Sequence, residues 1–415
     1  MNKVMGIIAL LALTGNIASA ELLKNFKYDG KIEAVGVVAN NATDFDKDAS
    51  DKSSDVKTRV SINAGFDLNE DVNAVVAVVK DNRNYGSGTN ASENANTIQS
   101  QLFFDQAYLN LKGVFGIDHK VGRQYYGNNG DINIYFGPQD WYVHNFGAIA
   151  LHTMYALDGW TGYWAKDKWS ATGLMAKAAE GGAAADGDIY GLTVAYDYSD
   201  IVKPSAYYYE AKDYTGASLK DLQTIGVKAN GEYKGVKYGA EYAMNMGRDH
   251  VAVEDYKGYA VKANAAYGID LAGKLGFDAE FAMGSGDKNA TDSSDKSFQD
   301  INANYRPGLI AGGFGVGVFN PNTLNNLTTY NVGANWTPEK VNKLNLAVKY
   351  YDFSNTEKVG TVEHIGTEAD LVATWTHSDN VSLKLGLGMF MPDEYKLAGK
   401  DDSVNLATLA MNVKF

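Results

Sequence analysis

The chain has 415 residues with no cysteine, 44 glycines, 27 tyrosines and only 6 prolines, and 37 basic against 50 acidic residues leave a net charge of −13. This acidic balance excludes the basic face that nucleic-acid recognition needs, so no nucleic acid is expected as a partner. The absence of cysteine excludes a disulfide framework, and the fold must be held by other means.

Residues 1–20 read as a signal peptide. Lys3 supplies the positive start, Val4 to Leu13 the apolar run, and Ala18-Ser19-Ala20 the small-residue cleavage site, so the mature chain is expected to begin at Glu21. A spanning helix needs about 20 apolar residues, which this run does not reach. The chain is therefore read as exported and without a membrane helix.

From residue 21 onward, apolar and polar residues alternate with a period of two. In the second expected strand Val60, Ile62, Ala64, Phe66 and Leu68 alternate with Arg59, Ser61, Asn63, Gly65 and Asp67. Further on, Leu275, Phe277, Ala279 and Phe281 oppose Gly276, Asp278 and Glu280, and Val381, Leu383, Leu385, Leu387 and Met389 oppose Lys384, Gly386 and Gly388. Such segments are strands with one apolar face, long enough to cross a bilayer on a tilt. Two stretches resist this phasing. Residues 73–79 are apolar on both faces, and Val121 and Arg123 share a face, which calls for a bulge or a position above the apolar band.

Short polar connections fall at 68–71, 113–116, 166–168, 199–202, 233–236, 269–272, 337–343 and 377–380. Longer ones fall near 40–55, 83–97, 126–158, 180–187, 213–221, 247–255, 285–326, 354–363 and 391–402. Short turns alternating with long loops are the asymmetry of an outer-membrane barrel. The spacing predicts an all-β, transmembrane antiparallel β-barrel of about 18 strands over residues 21–415, with both ends on the short-turn side. The last strand fits: Val413, Met411, Leu409 and Ala407 face one way, Lys414, Asn412, Ala410 and Thr408 the other, and Phe415 closes the chain. Barrel closure pairs that strand with the first and removes an exposed edge. The expected location is the cell outer membrane. The expected partners are outer-membrane lipid, lipopolysaccharide, the barrel-assembly machinery and small polar solutes.

Inward phasing names the pore lining. Its basic members include Lys31, Lys57, Arg59, Lys112 and Lys384, with Arg123 added by the bulge, and its acidic members Glu232, Glu241, Asp278, Glu280, Glu368 and Asp370. Basic residues on the first two and last two strands face acids on strands ten, eleven and thirteen, so a transverse field is expected across the pore. The loop near 126–158 is long but rich in Tyr135, Phe136, Trp141, Tyr142, Phe146 and Leu151. A loop this apolar is expected to fold inward as the constriction, with Asp131, Asp140 and Trp141 at the narrow part and Arg123 at its root. The loop at 285–326 is dominated by Gly, Asn and Ser, with Arg306-Pro307-Gly308 in its middle. Many acids fall in loops, so the acidic composition implies only weak cation selectivity that fades with salt.

No cofactor is expected. Alternating carboxylates at Asp44, Asp46, Asp48 and Asp51 are read mainly as a solvated loop, with a Ca²⁺ site in the extracellular loops as the alternative. The histidines His119, His144, His152, His250, His364 and His377 lack ligand spacing. Gly284-Ser285-Gly286 lacks the flanks of a nucleophile elbow, so an enzyme is not expected.

The segment Asp105-Gln106-Ala107-Tyr108-Leu109-Asn110-Leu111-Lys112, followed by Val121-Gly122-Arg123-Gln124, resembles a hairpin of the alginate-export family. Trp141, Asp158-Gly159-Trp160 and Trp169 are similar to its next hairpin. Gly366-Thr367-Glu368-Ala369-Asp370-Leu371 and Gly386-Leu387-Gly388-Met389-Phe390-Met391-Pro392 resemble its penultimate strands. The resemblance implies an eighteen-stranded outer-membrane channel, and for the founding substrate an arginine-rich constriction passed by a polyanion. This chain has five arginines, Arg59, Arg83, Arg123, Arg248 and Arg306. The reading is a porin for passive diffusion of small hydrophilic solutes and ions, with a channel for an acidic saccharide as the alternative. Oligomeric state stays open between the porin trimer and the monomer that the resemblance implies.

Overall fold

Strands in lipid have no water to satisfy their backbone groups, so a sheet must close on itself. The computed structural model of the protein describes residues 24–49, 52–84, 102–138, 156–180, 186–214, 217–289, 291–317 and 319–415. Residues 1–20, Asp51, Asp140, Trp141, Tyr142, His144, Phe146, Leu151 and His152 lie outside the described residues.

Among the described residues the wall has eighteen antiparallel strands in one closed barrel. They are β1 Lys24–Asn40, β2 Ser53–Asp67, β3 Val72–Asn84, β4 Leu102–Val114, β5 Ile117–Gln124 and β6 Leu157–Lys166. Next come β7 Trp169–Glu180, β8 Asp186–Tyr196, β9 Lys203–Asp213, β10 Lys220–Tyr233, β11 Val236–Asp249 and β12 Tyr259–Asp270. The rest are β13 Gly273–Gly284, β14 Leu327–Pro338, β15 Leu344–Val359, β16 Val362–Ser378, β17 Val381–Pro392 and β18 Val404–Lys414. Each strand pairs with its sequence neighbour, and β18 returns to β1 in register from Lys31↔Lys414 to Asn40↔Asn405. The short connections are tight turns. Lys234 (φ 50°) and Gly235 (φ 80°) together make the two-residue link from β10 to β11, the mirror-image turn that suits twisted strands.

Alternation decides the two faces. On β1, Ile32 and Val38 are exposed outward, as are Leu192 on β8, Val227 on β10 and Leu409 on β18. This apolar belt suits a bilayer and would be a liability in water. The inner face is not uniformly polar. Val35, Val37 and Ala39 of β1 and Leu406 and Ala410 of β18 point inward yet are buried, because loop seven fills that side of the lumen. Loop seven runs from 285 to 326 and carries a π-helical turn, Ile310–Phe314, whose first four residues are buried. Although Gly, Asn and Ser dominate its composition, Ile310, Val316 and Leu324 of this loop belong to the core, and Phe319 packs 5.5 Å from Phe353 of β15.

The seam ends in a small lock. Gly30 and Phe415 exchange backbone bonds of 2.8 and 3.0 Å, and the Phe415 ring lies over Gly30, where any Cβ would collide with it. Deleting Phe415, or substituting Gly30→Val, is expected to lower the folded, heat-modifiable fraction in the outer membrane. Normal assembly of both variants would contradict a role for this lock.

Candidate functional site

The lumen is divided by two loops that bind each other. Loop three enters after β5, where Tyr126–Gly127 pairs with Tyr135–Phe136 in a small two-stranded turn. Its tip meets loop seven backbone to backbone: Tyr135 N–H donates to Asn302 O at 2.7 Å, and Ile301 N–H donates to Asn133 O at 3.0 Å. The Asn302 amide donates to Tyr135 O at 2.7 Å, and the Asn304 amide to Asn129 Oδ1 at 2.8 Å. Ile132 and Ile134 are buried in this junction. The described part of loop three, residues 126–138, thus meets loop seven inside the barrel, a contact that the Gly, Asn and Ser content of 285–326 concealed.

Wall lysines hold the loop-three tip. Lys228 of β10 lies 2.6 Å from Asp131, and Lys262 of β12 donates to Gly130 O. Tyr126 and Tyr209 share a hydroxyl contact of 3.0 Å, and Tyr305 of loop seven donates to Glu280 of β13 at 3.0 Å. Burial, with Glu280 beside it, pushes the Tyr305 hydroxyl well above the usual phenol range.

Beside these loops runs a cavity of about 960 Å³ along the β3 to β12 side of the wall. It is lined by Asn73, Asn110, Thr161, Thr193, Ser205, Asn230 and Asn264, with Lys112, Lys120, Lys228 and Lys262 against Asp118, Asp131 and Glu241 as its charges. A smaller space of about 350 Å³ lies between loop seven and the wall, lined by Lys262, Arg306, Lys349, Lys384 and Glu280 among others.

The inward-phased charges do not form opposed arcs. Cross-strand neighbours pair within the same wall instead, since opposite charges two residues or one strand apart are in reach. Glu33 binds both Lys31 (2.5 Å) and Arg59 (2.7 Å), and Lys57 lies 3.8 Å from Asp55. Glu241 lies 3.4 Å from Lys228, Glu280 3.8 Å from Lys262, and Asp278 2.7 Å from Lys349. The transverse field expected from the sequence is therefore replaced by local neutralisation. Glu232 sits exposed at the short-turn rim, in register with Lys237.

Five residues expected in the pore lining are placed elsewhere. Arg123 is clamped at the root of loop three, 2.6 Å from Asp158, its register partner on β6, with Ala156 O at 3.2 Å. Gly122 before it has φ 122°, which glycine permits, while the register runs on unbroken. Lys57 and Arg59 are buried under the filled side, and Glu368 has 0% exposure. Asp370 is also buried, so neither β16 acid meets solute space.

In loop one, Asp44 accepts the Asp46 N–H and Asp46 accepts the Asp48 N–H, each at 3.0 Å. Asp46 also pairs with Lys400 at 2.8 Å, which with the Asp48 N–H holds its carboxyl below the usual range. These carboxylates cap their own turn and bind lysine rather than converging on one point. Among the described residues no group of three or more His, Cys, Asp or Glu is placed to hold a metal ion. Ser285 is a clip: its hydroxyl donates to Lys296 O at 2.6 Å and accepts Tyr259 N–H at 2.8 Å.

Replacing Lys228 and Lys262 together by Met removes the two charge-assisted bonds to the loop-three turn, each worth about 1.5–3 kcal/mol, along with the pairs to Glu241 and Glu280. The loop-three tip is then expected to loosen, raising single-channel conductance and current noise in a barrel that still assembles. Unchanged conductance would show that these lysines do not set the passage.

A family model described as alginate export matches residues 37–407. Among solved structures, the chain is similar to OpdQ of Pseudomonas aeruginosa, with TM-score 0.61 and 11% identity over 95% of this chain and 99% of that one. The outer-membrane protein OprD of Pseudomonas aeruginosa gives TM-score 0.57 and 11% identity over 95% and 94%. OccAB2 of Acinetobacter baumannii gives 0.59 and 11% over 95% and 98%. No curated protein matches the chain in sequence.

Proposed function

We propose, from the premise that the chain belongs to the alginate-export family and forms an outer-membrane β-barrel, that it is a porin for passive diffusion of small hydrophilic solutes and ions. The observation that carries this reading is the 960 Å³ cavity beside the two loops, lined largely by amides and hydroxyls. Groups of that kind replace the hydration of a neutral polar solute without binding it tightly, which suits passage rather than capture.

Charge adds a bias. The chain is acidic, but in the cavity Lys228 is paired with Asp131 and Glu241, while Lys112 and Lys120 make no ion pair among the described residues. Lys120 lies 4.8 Å over the Tyr108 ring. With Asp118 counted, four lysines face three acids in the cavity, which supports a slight anion preference in place of the cation preference implied by composition.

The second reading, a channel for an acidic saccharide, is favoured by the family and by these two lysines. The arginines weigh against it. Arg59 is taken by Glu33, Arg123 by Asp158 and Arg248 by Asp255 at 3.6 Å, so Arg306 alone of the described arginine side chains faces the narrow spaces.

Reversal potentials in a salt gradient are expected to show anions permeating faster than cations. Lys112→Gln with Lys120→Gln should diminish the preference, and rising salt should weaken it as the Debye length falls below about 8 Å. Proteoliposomes should swell in neutral mono- and disaccharides. Admission of uronate oligomers with refusal of neutral sugars would overturn the first reading in favour of the second.

A further inference from the structure

We propose that Glu368 and Asp370 are positioning residues that seat loop seven against the barrel wall, and that this seat sets the aperture of the channel. The inference rests on the porin reading and adds the device that fixes its width.

The contacts are directional. Glu368 accepts Ile310 N–H on Oε1 at 2.7 Å and Ala311 N–H on Oε2 at 2.8 Å, while Asp370 Oδ2 accepts Leu309 N–H at 3.0 Å. Three consecutive backbone donors of loop seven are thus satisfied by two carboxylates of β16. A buried carboxylate is costly unless its oxygens are bonded, and Glu368 has 0% exposure with both oxygens occupied. A side chain that served passing solute would keep an oxygen open to the lumen. This one does not.

Shape agrees with the bonding. Gly308, at φ 87°, lies where a Cβ would come 2.6 Å from a Glu368 oxygen. Across the seat, a Cβ on Gly388 would come 2.9 Å from Asp370 Oδ1 and 3.1 Å from Ile310, and one on Gly386 would come 2.6 Å from the Thr408 hydroxyl and 3.2 Å from Leu309. The bare wall of β17 therefore receives Leu309 and Ile310, while β16 holds their backbone. Three stretches far apart in sequence converge here: Arg306-Pro307-Gly308, Glu368-Ala369-Asp370 and Gly386-Leu387-Gly388. Above the seat, Tyr395 of the last long loop packs 6.2 Å from Phe319 and 5.7 Å from Phe45, closing the filled side. With this side closed, passage is confined to the β3 to β12 side. Releasing the seat would open the other half of the lumen.

The test compares the full-length protein with Glu368→Ala/Asp370→Ala and, separately, with Gly388→Val, which crowds Ile310 and the Asp370 carboxylate from the wall side while leaving both acids in the chain. Folding of each is checked by heat-modifiability, and seating is read by hydrogen exchange of residues 309–311. These amides are expected to be protected in the parent. In either folded variant, protection should fall by about tenfold or more, the factor carried by one lost hydrogen bond to a charged group. Conductance and the sugar size limit in swelling assays should rise with it. Rapid exchange in the parent overturns the seat whatever the protein conducts. Loss of protection with unchanged conductance and size limit overturns its role in aperture. A parent that is protected but conducts nothing overturns the porin reading and, with it, the aperture claim, while the seat itself stands.

Discussion

Closure of the sheet is the constraint on which everything else depends. Lipid offers no partner to a backbone N–H or C=O, so a strand that spans it must be bonded on both edges. The chain meets this by returning β18 to β1 through ten registered pairs, from Lys31↔Lys414 to Asn40↔Asn405, and by locking Phe415 onto Gly30 at the rim. Once the wall is closed, alternation commits every second side chain to an enclosed space. What fills that space is the functional question.

The answer is asymmetric. On the β15 to β18 and β1 side the interior is packed like a protein core, with Phe353, Phe390, Leu406 and Val37 against Ile310 and Val316 of loop seven. On the β3 to β12 side it remains open and polar. Loop three lies between the two, hydrogen-bonded to loop seven on one flank and to Lys228 and Lys262 on the other. Charges inside the wall are neutralised by their nearest neighbours because strands stand about 4.8 Å apart, a separation that long side chains span easily. The open side keeps a small basic excess, and the acidic balance of the chain resides elsewhere.

Much of the wall was legible in the sequence, because period-two alternation and turn chemistry are local properties. The turns at 233–236 and 269–272, and the two faces of β13 and β17, could be read directly from residue order. The occupancy of the lumen was not legible in the same way. Phasing says that Glu368 and Asp370 point inward, but not that loop seven will cover them. Likewise, Val35 and Val37 look like misplaced apolar residues until Ile310 and Val316 are seen to fill that side. The Gly, Asn and Ser content of 285–326 gave no sign of the buried Ile310, Val316 and Leu324. Arg123 resisted phasing for a local reason: Gly122 takes a φ of 122° while the register runs on unbroken, and Asp158 across the register takes the guanidinium.

The division into a filled half and an open half can be measured directly, since the chain has no cysteine and a single introduced thiol reports alone. Asn264→Cys on the open side and Val37→Cys on the filled side would each be exposed to a small, membrane-impermeant thiol reagent in intact cells. The expected result is rapid labelling at 264 and none at 37. Equal labelling at the two positions, or labelling at 37 alone, would contradict the account.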